Sequence, residues 1–115
     1  MLSNALETIV QAAVMTELAD AKHTHGEKYA SVHEGYGVLM EELHEAAAEL
    51  HDLDDIIRIP LMEGLHENDQ EAMIDALSVT ELFARKLACE AIQVAAVARK
   101  YSETLAAMRE EEAHA

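Results

Sequence analysis

The sequence predicts an all-α protein: a long antiparallel helical hairpin plus an N-terminal helix, completing a four-helix-type bundle by oligomerisation. Three observations carry this. Ala, Leu, Glu and Met are plentiful, whereas glycine is confined to residues 26, 35, 37 and 64 and proline to residue 60. Apolar residues recur in alternating steps of four and three over two long stretches, the period of a packed helical seam. The core residues are aliphatic: the chain has no Trp, and its aromatics are Tyr29, Tyr36, Phe83 and Tyr101. At 115 residues it is long enough for one domain with one modest core, residues 1–115, of which 109–115 read as a frayed tail.

The first helix is expected from about Asn4 to Lys22. Ser3 or Asn4 caps its start, and Leu2, Leu6, Ile9, Ala13 and Val14 form its buried stripe. A loop broken by Gly26 runs from His23 to Ala30. Ser31-Val32-His33-Glu34 then reads as a capping box. It opens a helix whose seam is Leu39, Leu43, Ala46, Leu50, Leu53 and Ile57.

Pro60 lacks an N–H and must kink or interrupt that helix. The best turn is Gly64 to Asn68, followed by a second capping box, Asn68-Asp69-Gln70-Glu71. The last helix carries Met73, Leu77, Thr80, Ala84, Leu87, Ala91, Val94, Ala98, Tyr101 and Leu105 to about Met108, with Ser78 its weakest point. Three helices with this much seam are too few to cover themselves, so a homodimer or homotetramer is expected.

The net charge of −15 leaves no basic footprint for a nucleic-acid polymer or an anionic membrane surface. No apolar run approaches the ~20 residues of a membrane span, and MLSNALETIV does not read as a signal peptide. The single cysteine, Cys89, allows no internal disulfide and fits a reducing cytoplasm; on its apolar helix it reads as core.

Chemistry concentrates at Glu41-Glu42-Leu43-His44-Glu45 and Glu90-Ala91-Ile92-Gln93. Glu42 and Glu45 are three apart, as are Glu90 and Gln93, so each pair lies on one helical face, with Cβ atoms roughly 5–6 Å apart. Residues at one level of an antiparallel hairpin have a constant sum of residue numbers. Glu42 with Gln93 and Glu45 with Glu90 share one sum, and its midpoint falls between Glu67 and Asn68, inside the predicted turn. Oxygen ligands from two helices suit a hard cation, Mg²⁺ with Mn²⁺ as a substitute. An ion pair between Lys86 and Glu90 is the simpler account of a glutamate in an Ala-rich segment. Lys22, Lys28, Arg99 and Lys100 are the nearest cations in sequence for a phosphate, and His33 and Tyr36 offer flat faces for a base.

The segment His33-Glu34-Gly35-Tyr36-Gly37-Val38-Leu39-Met40-Glu41-Glu42-Leu43-His44-Glu45 resembles the first motif of the MazG-like nucleotide pyrophosphohydrolases. Cys89-Glu90-Ala91-Ile92-Gln93-Val94-Ala95-Ala96 resembles the second motif of phage-type members. The resemblance spans about residues 28–105. It implies an all-α fold, Mg²⁺ bound through an E-E-x-x-E and a later E-x-x-D segment, hydrolysis of nucleoside triphosphates to monophosphates and pyrophosphate, and dimers or tetramers. Carried over, it makes Glu42, Glu45, Glu90 and Gln93 the metal ligands. Glu41 is the candidate catalytic group, orienting water or holding a second ion. Gln93 stands where aspartate is usual, and the segment between the motifs is long. A non-enzymatic helical module that binds a nucleotide or a protein partner is the alternative.

Overall fold

The computed structural model describes residues 3–115 and is all-α, with no strand among the described residues. Its elements are α1 (Asn4–His25), α2 (Val32–Ile56), a π-helical segment (Ile57–Leu61), α3 (Met62–Glu67) and α4 (Gln70–His114). The expected weak point at Ser78 does not interrupt α4. The expected frayed tail is helical as far as His114. Two compact units emerge, Met1–Leu43 with Ile92–Ala115, and His44–Ala91.

In the first unit, Ser3 Oγ accepts the Leu6 N–H at 3.1 Å and caps α1. The helix runs one turn beyond the expected end. Lys22, His23 and His25 occupy its last turn, where the carbonyl end of a helix favours cations. Gly26 stops it with φ 93°, a left-handed backbone that favours glycine, and donates its N–H to the Lys22 carbonyl at 2.9 Å. Ser31 Oγ caps α2 by accepting from the Glu34 N–H. The Glu34 carboxylate reaches back to the Ala30 N–H, one residue earlier than a capping box would place it.

This unit's core contains Leu18, Tyr29, Ala96 and Val97, with Lys100 and Thr104 buried among them. Thr104 is fully buried and fully used: its hydroxyl accepts the Tyr29 N–H at 3.1 Å and donates to the Lys100 carbonyl at 2.9 Å. Gly35 is buried under the Tyr101 ring, where a Cβ would collide with the ring. The Tyr101 hydroxyl donates to the Val32 carbonyl at 2.7 Å. The expected α1 stripe is not buried as a whole. Leu2 lies outside the described residues, Ala13 and Val14 are half-buried, Leu6 and Ile9 are exposed, and Leu18 is the buried residue of α1.

The second unit, His44–Ala91, is a helical hairpin. Pro60 does not break it: the missing N–H and the ring's bulk are absorbed by widening Ile57–Leu61 to π geometry, and helix resumes at Met62. The turn is tighter and later than expected. Asn68 adopts the left-handed conformation, φ 52°, and Asp69 rather than Asn68 caps α4, its Oδ1 accepting the Ala72 N–H at 3.0 Å. Gly64 packs where a Cβ would meet Met73 Cγ at 2.8 Å, which lets the two arms close at the turn.

The seam positions are only partly covered. Leu50, Ile57 and Leu77 are exposed, whereas Leu53, Met73 and Leu87 are half-buried.

Candidate metal centre and acidic cavity

The second unit gathers three carboxylates on its two arms. Glu45 of α2 and Glu90 of α4 offer oxygens within 4.8 Å of one another, the level expected from their numbering despite the π segment. Burial pushes the Glu90 carboxyl above its ordinary range; the charge of Glu45, a hydrogen bond with it and the charge of Glu49 push the same way. Oε2 of Glu49 is buried with no hydrogen-bond partner. Along α2, Glu42 stands one turn before Glu45 in sequence.

Opposite ligands on an octahedral magnesium ion are ~4.2 Å apart, from bonds of ~2.1 Å, so modest side-chain rotations would satisfy such an ion. The donor set is hard oxygen, and Glu49 holds an orphaned buried oxygen; both fit a divalent cation. Exposed acidic groups also cluster without one, so the fit is chemical compatibility. The simpler account, Lys86 paired with Glu90, is not what forms: the Lys86 ammonium lies 5.5 Å from the Phe83 ring centroid, and no ion pair joins it to Glu90 among the described residues.

The first unit holds a cavity of about 600 Å³ lined from α1, α2 and α4. Glu17, Asp20, Glu34, Glu41 and Glu42 face it, against Lys100 and His25. Lys100 is only 2 % exposed, and its ammonium lies 4.3 Å from the centroid of the Tyr29 ring, which supplies a cation–π contact. Burial raises the Tyr29 phenol above its ordinary range, and the charges of Glu42 and Glu34 add to the shift. Gln93 also lines the cavity, and its Nε2 donates to Glu17 Oε2 at 2.7 Å. A cavity this acidic repels a bare polyphosphate and favours an anion already complexed to cations.

Of the substrate residues expected from sequence, only Lys100 lines this cavity. Lys28 is exposed and reaches Glu111 at 3.9 Å, Arg99 reaches Glu103 at 3.6 Å, and His33 and Tyr36 are exposed, the latter by 58 %. Glu41, expected beside the ligands, is exposed on the cavity wall. Cys89 is exposed rather than core.

Sequence reasoning missed Glu17, Asp20, Tyr29, Glu34 and Glu49. Glu49 had a signal, since it follows Glu45 by four on the same face. Glu17 and Asp20 share a face of α1 in the same way. Tyr29 had none, because its place depends on a hydrogen bond to Thr104, 75 residues away. Compared with known protein families, curated proteins and solved structures, the chain matches none.

Proposed function

We propose that this chain is a divalent-metal-dependent nucleotide pyrophosphohydrolase of the MazG-like kind, converting a nucleoside triphosphate to its monophosphate and pyrophosphate. The observation that supports it most is the Glu45–Glu90 approach, with Glu42 one turn away on α2 and Glu49 orphaned beside Glu90. In this reading Glu42, Glu45 and Glu90 hold the metal, and Gln93 contributes a neutral amide oxygen. Magnesium, or manganese in its place, would neutralise phosphate charge when bound. Lys100, backed by Tyr29, binds phosphate oxygens. Glu41 orients the water that attacks the α-phosphorus, whose bond to the bridging oxygen breaks as pyrophosphate leaves. Lys28, His33, Tyr36 and Arg99 lie outside the lining of the cavity that Lys100 enters.

The same reading makes the protein a homodimer or homotetramer of the cytoplasm. The exposed apolar side chains of the second unit support assembly, and among the described residues no helix is long and apolar enough to cross a membrane. The non-enzymatic module keeps one observation in its favour: Gln93 is uncharged and already engaged with Glu17.

The deciding experiment follows pyrophosphate release from the common nucleoside triphosphates with and without Mg²⁺. The expected result is metal-dependent release that falls at least ~100-fold in Glu90→Gln, as loss of a charged metal ligand demands. Nucleotide binding by calorimetry without any pyrophosphate would instead select the module.

A further inference from the structure

The hydrogen bond between Gln93 and Glu17 explains how an uncharged residue serves at position 93. An ionised carboxylate only accepts hydrogen bonds, and a side-chain amide has one donating and one accepting end. Because the Gln93 amide nitrogen lies 2.7 Å from Glu17 Oε2, its oxygen must point away from Glu17. Both residues line the same cavity as Glu42, and all belong to the first unit. The contact spans 76 residues of sequence, joins α1 to α4 and is part-buried, which strengthens it relative to a surface contact.

We propose that Glu17 is a positioning residue of the acidic cavity: it fixes the Gln93 amide so that its oxygen, not its nitrogen, is available to a cation. Without Glu17 the side chain is free to turn over and to swing away, so only a small fraction of its orientations offers the oxygen to a cation. Glu17 also makes glutamine the fitting residue at 93. An aspartate there would set a second carboxylate facing Glu17, in place of a donor facing an acceptor. The inference rests on the reading of Gln93 as a metal ligand.

The test is Mg²⁺ titration by calorimetry on the full chain, with melting of the metal-free protein as a folding control. Glu17→Ala should weaken Mg²⁺ binding ~10-fold, the loss typical of a group that orients a ligand. Glu17→Gln should retain most of the affinity, because its amide oxygen still accepts from Gln93. Gln93→Asp should gain little while Glu17 is present and clearly more in the Glu17→Ala background. Independently of metal, the Gln93 side-chain amide should give a protected, shifted proton signal that Glu17→Ala abolishes and Glu17→Gln keeps.

Equal affinity in wild type and Glu17→Ala, with Glu90→Gln strongly impaired, would overturn the positioning role and leave the metal site standing. Equal affinity in all of them, Glu90→Gln included, would remove both. A Glu17→Gln loss as large as that of Glu17→Ala would also overturn the proposal, because charge and not orientation would then be the contribution.

Discussion

The two units solve opposite problems with the same pair of long helices. The first, Met1–Leu43 with Ile92–Ala115, is tied by polar contacts between distant parts of the chain: Tyr29 to Thr104, Tyr101 to Val32, Gln93 to Glu17 and Lys22 to Glu103. In the second, His44–Ala91, bonds such as Asp54 with Arg58 and Asp69 with Ala72 are local, and where its arms do meet through polar groups they bring like charges together at Glu45, Glu49 and Glu90. Both units leave large apolar side chains in water, Ile9 and Leu43 in the first and Leu50, Leu65 and Ile74 in the second. A helix pair held by polar cross-links needs little else; one held by a half-covered seam and crowded acid gains from a second copy or a cation.

The largest effect is expected from the exposed apolar surface of the second unit. Ile74 is 64 % exposed, so a charge there costs the isolated chain little. The wild type should sediment as a dimer or tetramer at micromolar concentration, and Ile74→Lys should shift it towards monomer with its helicity retained. A wild type that is monomeric throughout this range would mean that the second unit tolerates its apolar surface without a partner.

A smaller effect probes the first unit alone. Thr104→Val keeps the shape but leaves the buried Tyr29 N–H without its acceptor, a loss of about 1–3 kcal/mol. Thr104→Ser keeps the hydroxyl and loses a methyl group, about 1 kcal/mol. All the tyrosines lie in the first unit, so urea unfolding followed by tyrosine fluorescence reports on it selectively. If the valine variant is no weaker than the serine variant, the cross-link contributes nothing beyond packing.

The contrast also marks what the sequence could reveal. Ser3, Ser31 with Glu34 and the Glu45–Glu90 level were legible because caps, periodicity and hairpin register are local rules. The end of α1 was not, since His23-Thr24-His25 continues the helix on backbone and dipole alone with no apolar residue to mark it. At Pro60 the sequence predicts a kink or an interruption, because it does not distinguish either from a π widening. Cys89 and the exposed seam positions were misread for one reason: apolar spacing says which face is sticky, not whether anything covers it. The Glu17–Gln93 bond lies beyond any spacing rule, because it depends on how α1 packs against α4.

The smallest expected effect is a difference in pH response between the units. The Lys22 ammonium, hydrogen-bonded to Glu103 at 2.7 Å, holds that carboxyl below its ordinary value of 4.5; burial opposes the shift, while the charge of Lys22 and the contact with Arg99 reinforce it. A depressed carboxyl contributes stability that is complete above the unfolded value and is lost as pH falls through the folded one. Glu90 is shifted the other way, so in the metal-free protein it opposes folding at neutral pH, and acidification towards 4.5 relieves that opposition. Melting temperatures across this range should therefore separate two variants. Glu90→Gln should be more stable than wild type at neutral pH without metal, the advantage shrinking as pH falls towards 4.5. Glu103→Gln should be less stable than wild type at neutral pH, the deficit persisting to 4.5 and closing only below it. Because Glu103 is partly exposed, its deficit should also shrink in high salt. If both differences closed over the same pH interval, the two carboxyls would share one environment, and the electrostatic contrast between the units would fail.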